Sequence, residues 1–408
     1  MNHLTALIAG LVLMVIVLQD AFEVMLLPRR VKRRWRLVRL YFRGTWAIWS
    51  ALARTTHTTS RRERFLSIYG PMAMMFLFGL WAGTLIVSFG LIEWSVQAAH
   101  GGRVISDLGE QLYMSGVTFF TLGYGDVVPH TALGRVVVVF EAGTGFGLMA
   151  VVIGYLPVLY QLFSRREAHV IQLDGRAGSP PTAVEILKRH AESGGLEDLD
   201  ELLRTWEIWG ADLLESHLSY PMLAYYRSQH DDQSWLGALA AIMDVCTLVL
   251  IGVADVKPLQ ARMTFAMARH VVVEMARSLN VSVSKSPSLD RMGEGGMEPM
   301  LSAFADANLT WNGGSEAEAV LTGVRATYEP MLLALADYLL ISLPGWIAPE
   351  DQVDHWERGP RGIIARRLIG GLADGSISEE ASRRDRKARD WIGRVRRPPR
   401  GPPAPPQS

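Results

Sequence analysis

Residues 121–129 read Thr-Leu-Gly-Tyr-Gly-Asp-Val-Val-Pro. Within them, Thr121 to Gly125 form a run whose backbone carbonyls can all turn to one side. Gly123 and Gly125 carry no Cβ to block the dihedrals this requires. Carbonyl oxygens in file, with the Thr121 hydroxyl beneath them, are ligands for a cation. Several chains set about one axis would close them into rings that replace the ion's hydration shell. No other cluster has comparable chemistry. His217, His230, Asp231 and Asp232 lack the spacing of a metal motif, so surface or capping roles are expected and no metal other than a permeant ion. Gly143, Thr144, Gly145, Phe146 and Gly147 have no strand before them, as a phosphate loop requires. No catalytic triad or paired-carboxylate site is present, and the chain reads as a non-enzyme. A single cysteine, Cys246, excludes an internal disulfide and a cysteine-cluster metal site.

The elements that must hold such a run are apolar. Of 408 residues, 49% are hydrophobic and 20% charged, which suits a membrane part joined to a soluble part. Leu4 to Leu27, Pro71 to Val96 and Leu133 to Phe163 each reach the length of about 20 residues that crosses a bilayer. Leu108 to Phe120 is too short to cross and long enough to dip halfway, leaving the non-helical run enclosed by protein. The net charge of zero conceals segregation: 12 of the 41 Lys and Arg residues lie between Arg29 and Arg64, with Glu63 the one acid among them. By the positive-inside rule this stretch is cytoplasmic, the first and third spans run inward, and Arg165 and Arg166 stop the third. Asp20 and Glu23 share a helix face and are expected to meet Arg29 or Arg30 at the interface. Trp35, Val38, Phe42, Trp46, Trp49 and Ala53 fall on one helix face beside Arg33, Arg36, Arg39 and Arg43. The expectation is a surface helix with tryptophans in the aromatic belt and arginines on anionic lipid, rather than on nucleic acid. Arg30, Arg33, Arg36 and Arg39 also recur every third residue as in a voltage sensor. Lys32 and Arg34 break the apolar intervals that would require.

The stretch Thr121 to Gly125, with Asp126, Pro129, Gly134 and Arg135 at their spacing, resembles the selectivity filter of the potassium-channel family. The resemblance implies that Thr121, Leu122, Gly123, Tyr124 and Gly125 bind K⁺ as the permeant ion, with no other cofactor. It further implies that Tyr124 braces the filter against the pore helix, that Asp126 caps its outer end and that Gly145 is the gating hinge. One filter per chain implies a homotetramer. Pro157 is a second candidate kink. Glu141, an acid inside the third span, is expected to support the filter by a hydrogen bond to Ser115 or Thr118. Two positions depart from the family: Phe120 stands where a threonine is common, and Tyr113 and Met114 where some members carry tryptophans.

The organisation expected is an all-α membrane protein. It has an N-terminal transmembrane helix over 1–27, a basic amphipathic interfacial helix over 28–66, a pore domain over 67–166, an α-helical cytoplasmic domain over 167–348, and a basic, proline-rich disordered tail over 349–408. In the helical domain, Pro180, Pro181 and Thr182 open a helix after a Gly175–Pro181 linker. Further helices are expected over Glu197–Glu215, Leu259–Leu279 and Thr327–Ser342, and Ser234 or Asp232 caps the apolar helix Trp235–Ala254. Asp244 at the centre of that helix favours a buried helix over a fourth span. The expected function is potassium-selective conduction across the plasma membrane, gated by the inner helix and the cytoplasmic domain. A weakly selective cation channel, or a signalling receptor with a vestigial pore, are the alternatives. No residue pattern names the gating ligand.

Overall fold

The computed structural model describes residues 2–25, 37–56, 58–98, 107–192, 196–283, 290–293, 295–349 and 353–358, with 362 and 364. The described residues form an all-α membrane protein. Its helices are α1 (His3–Met25), α2 (Leu37–Arg54), α3 (Thr59–Ala98), α4 (Leu108–Phe119), α5 (Ala132–Ala177), α6 (Ala183–Glu192), α7 (Leu199–Ser219), α8 (Trp235–Ile251), α9 (Pro258–Leu279), α10 (Glu298–Asp306), α11 (Ala317–Ala326) and α12 (Glu329–Leu339). The β-structure among the described residues is one isolated bridge, Val253 to Trp311. α1, α3 and α5 are long and apolar enough to cross a membrane.

α1 lies antiparallel along the far half of α3. Ser95 Oγ donates to the His3 carbonyl, Ser88 Oγ to that of Gly10, and Trp81 Nε1 to Asp20 Oδ2 at 3.1 Å. The expected interfacial role of Asp20 is thus corrected: it is buried against α3, and Arg29 and Arg30 lie outside the described residues. α3 starts at Thr59, so residues 59–66 belong to the spanning helix and Pro71 sits inside it rather than at its start. α5 likewise runs through Pro157 and past Arg165 to Ala177, taking the first three residues of the expected linker into helix; Gly178 caps it.

α2 departs most from expectation. Its face bearing Phe42, Trp46 and Ala53 is turned into protein, not into lipid. The partners on α3 ascend as α2 is followed backward: the Trp49 indole donates to the Phe65 carbonyl, Thr45 Oγ1 meets Tyr69 Oη at 2.9 Å, and Tyr41 Oη donates to the Ala73 carbonyl at 2.8 Å. The two helices are therefore an antiparallel pair. Periodicity had located the apolar stripe, but a stripe of aromatic residues packs equally well against lipid or a neighbouring helix. Arg39 and Arg43 are exposed, while Arg33, Arg36 and Trp35 lie outside the described residues.

The helical bundle α6–α12 closes around α8, whose residues 235–249 are all buried. Ser234 caps it, accepting from the Gly237 amide at 2.9 Å. Asp244, fully buried, is answered by Arg291 at 2.6 Å and by Tyr328 Oη at 2.8 Å. Burial pushes the Asp244 carboxyl above its ordinary range, and the Arg291 guanidinium opposes this. α10 and α11 have no counterpart in the sequence reading, and Thr327–Ser342 resolves into a short turn followed by α12. His217 is also corrected. It is fully buried, with Nδ1 2.9 Å from the Leu213 carbonyl and Nε2 3.3 Å from Arg166 Nη1.

Candidate pore site

α4 is a 12-residue helix opened by Asp107, whose carboxylate accepts from the Gly109 amide. It ends at Phe120. There the amides of Thr121 and Leu122 donate back to the carbonyls of Thr118 (2.9 Å) and Val117 (2.8 Å), so the run that follows leaves the helix at a set angle. Within the run, φ is positive at Thr121 (58°), Gly123 (60°) and Gly125 (77°), and at neither Leu122 nor Tyr124. Alternating left- and right-handed residues send successive amides to one side and carbonyls to the other. Two of the three left-handed positions are glycine, which tolerates them without strain. The run is exposed within one chain: Leu122 is 55% and Tyr124 68% accessible. Within one chain the Tyr124 side chain is therefore mostly uncovered. The Asp126 end of the run is held by Tyr113 of α4, which donates to Asp126 Oδ2 at 2.9 Å, while Asp126 Oδ1 accepts from the Val127 amide. Tyr113 was legible only as a departure from a family pattern, and its partner is 13 residues away.

Behind α4, Ser115 Oγ is shared between the Ile86 carbonyl of α3 (2.8 Å) and the Glu141 carboxylate of α5. Of the two partners expected for Glu141, Ser115 is the one that meets it. Glu141 is fully buried, and so is Glu93 of α3, whose carboxyl adjoins it. Glu93 was not singled out from the sequence, because an acid near the end of a span reads as an interfacial residue. Thr131 caps α5, accepting from the Gly134 amide at 2.9 Å. Gly145 packs its backbone against the end of α4: a Cβ built there would lie 2.2 Å from the Phe119 carbonyl oxygen. Nothing crowds Gly143 or Gly147. The outer face of α5, with Val136, Val139, Phe140, Phe146 and Ile153, is exposed.

Residues 74–161 match the family model described as an ion channel. The chain is 28% identical over 118 residues to Protein LctB of Geobacillus stearothermophilus, covering 26% of this chain and 79% of that protein. It is 24% identical over 197 residues to the uncharacterized membrane protein YdjJ of Bacillus subtilis (strain 168), covering 47% of this chain and 56% of that protein. No solved structure matches the chain. The matched segment takes in α4, the run after it and the facing parts of α3 and α5, so it is over these elements of an all-α membrane protein that the chain is similar to an ion channel.

Proposed function

We propose that the chain is a potassium-selective channel subunit that assembles as a homotetramer and passes K⁺ passively down its gradient. The observation that carries this reading is the alternation of φ sign from Thr121 to Gly125, on a stretch that one chain leaves uncovered. Carbonyls of Thr121, Leu122, Gly123, Tyr124 and Gly125 from four copies would form the ion-binding rings, with Asp126 tied by Tyr113 at the outer mouth and Glu141 bonded to Ser115 behind the pore helix. In this reading 67–166 is the pore domain and 167–348 the cytoplasmic domain, in the plasma membrane with the arginines of 28–66 near anionic headgroups. α5 then serves as both pore lining and shaft. It continues beyond the bilayer into the helical bundle, where Arg166 donates to the carbonyls of Leu223 (2.9 Å) and Tyr226 (2.8 Å). Motion of the bundle would reach the pore through that shaft.

Liposomes holding the full chain should pass Rb⁺ at least tenfold faster than Na⁺, and Gly123→Val should abolish both fluxes. Comparable Rb⁺ and Na⁺ rates would replace potassium selectivity with weak cation selectivity, the reading that Phe120 beside the run favours. Potassium uptake that survives Gly123→Val in a complementation assay would overturn conduction through this run.

A further inference from the structure

At one level of the membrane part, three helices turn a polar side chain toward a common point: Glu93 from α3, Ser115 from α4 and Glu141 from α5. Each is 0% exposed. α4 is gripped closely on both sides, since a Cβ built on Gly90 of α3 would lie 3.2 Å from Leu112 Cα, as one on Gly145 of α5 would press on Phe119. Ser115 Oγ is 2.8 Å from the Ile86 carbonyl and also bonds Glu141 Oε1. The Glu93 carboxyl lies within hydrogen-bonding reach of the Glu141 carboxyl. Taken as carboxylates, the two acids leave three buried oxygens unanswered, both of Glu93 and Oε2 of Glu141. No Lys or Arg among the described residues supplies either with a countercharge.

The hydrogens at this point can be counted. Ser115 has one, and with Glu141 ionised two acceptors compete for it, the Ile86 carbonyl and Glu141 Oε1. Two ionised carboxyls would besides face each other oxygen to oxygen, where a bare buried charge costs far more than an unpaired neutral group and like charges add repulsion. A proton on each acid removes both conflicts. The Glu93 hydroxyl then donates to Glu141 Oε2, the hydroxyl at Glu141 Oε1 donates to Ser115 Oγ, and the Ser115 hydroxyl donates to the Ile86 carbonyl. One neutral oxygen of Glu93 is left unanswered, and no charge is buried. A single shared proton would mend the carboxyl contact but leave a negative charge and the contest for the Ser115 hydrogen.

We propose that Glu93 and Glu141 are both protonated in the folded protein and form with Ser115 a neutral hydrogen-bonded clamp, ending on the Ile86 carbonyl, that positions α4 between α3 and α5. The clamp does not depend on the conduction reading; its service to a pore, steadying the helix before the 121–125 run without a fixed charge behind it, rests on that reading. The test is infrared spectroscopy of the full chain in lipid nanodiscs at neutral pH, which separates the C=O band of a protonated carboxyl from the bands of a carboxylate. Glu93→Gln and Glu141→Gln keep the donors and acceptors of the protonated acids, so each variant should fold and lose one protonated carboxyl. The double variant should lose about twice the intensity that either single variant loses. Ser115→Ala, which takes away the acceptor of the Glu141 hydroxyl, should shift the band upward without removing it. No protonated intensity lost in any variant would overturn the clamp in favour of an ionised pair, such as one holding a cation. A single variant that loses as much as the double would overturn it in favour of one shared proton, and a band unmoved in Ser115→Ala would remove Ser115 from it. Rb⁺ flux is measured on the same preparations and on Glu141→Ala, which cuts the clamp at its middle and should lose flux while retaining its melting transition. Unchanged flux in Glu141→Ala would overturn the positioning role. The expected bands in an unmodified protein that passes no Rb⁺ would support the clamp and overturn conduction instead.

Discussion

At Gly145 a hinge and a contact point differ by one methyl group. A Cβ there would press on the Phe119 carbonyl, which belongs to backbone and cannot swing aside. Gly145→Ala is therefore expected to displace α4 and destabilise the fold by about 1–3 kcal/mol, as overpacking does. Gly143→Ala, in open space within the chain, should leave thermal stability unchanged. Equal melting temperatures for the two variants, with altered gating in Gly145→Ala alone, would restore the hinge. Asp244 offers a second test. Its removal in Asp244→Ala takes from the buried Arg291 guanidinium its nearest carboxylate, leaving Glu329 at 3.6 Å, and unfolding in denaturant should register a loss of about 3 kcal/mol. His217 carries a pH effect of definite sign. Burial, and then the Arg166 charge, hold it well below its ordinary value, so it remains neutral in the fold. Below about pH 6.5 the unfolded chain binds a proton that the folded chain does not. The helical bundle should then lose up to about 1.4 kcal/mol per pH unit, a slope that His217→Gln reduces.

Among the elements, α2 is the least expected in its placement and the most informative. Its Trp46 touches the rings of Tyr69, Tyr225 and Tyr338, and its indole donates to the Tyr338 carbonyl at 2.9 Å. α2 thus joins the base of α3 to the end of α12. Arg227 strengthens the same junction, donating to the carbonyls of Leu339 and Leu340 and pairing with Glu63 at 3.5 Å. Trp46→Ala should cost about 3–5 kcal/mol, read as a lower unfolding midpoint. Asp337→Ala should change it by less than about 1 kcal/mol, because the Arg54–Asp337 pair is exposed on both sides. A larger loss in Asp337→Ala than in Trp46→Ala would reverse this assignment of where the junction is held.

For the whole molecule, the surfaces that one chain leaves uncovered include the 121–126 run and a face of α5. Lipid suits apolar side chains but cannot satisfy a row of backbone carbonyls. The proposed tetramer resolves this by placing that row on a wet axis. Light scattering of the full chain in detergent should give four subunits, and a stable monomer that still conducts would contradict the proposal. The bundle meets the membrane part at the α5 shaft and at the α2–α3 base. In the proposed channel, a change within the bundle would therefore bear on α3 and α5 together.

Composition and apolar run length were enough to determine three spans, a short helix that cannot cross and an α-helical remainder, because bilayer thickness constrains sequence locally. The Thr121–Gly125 run was legible for the same reason: its glycines report the backbone conformation at their own positions. The Ser115–Glu141 bond, too, could be anticipated, since an acid inside a span demands a partner. Tertiary structure alone decided that the tryptophan face of α2 packs on protein, that Glu93 joins Glu141, and that Tyr113 reaches Asp126. Each depends on contacts between residues distant in the chain or on which of two apolar surroundings a face meets, and periodicity is identical in either case.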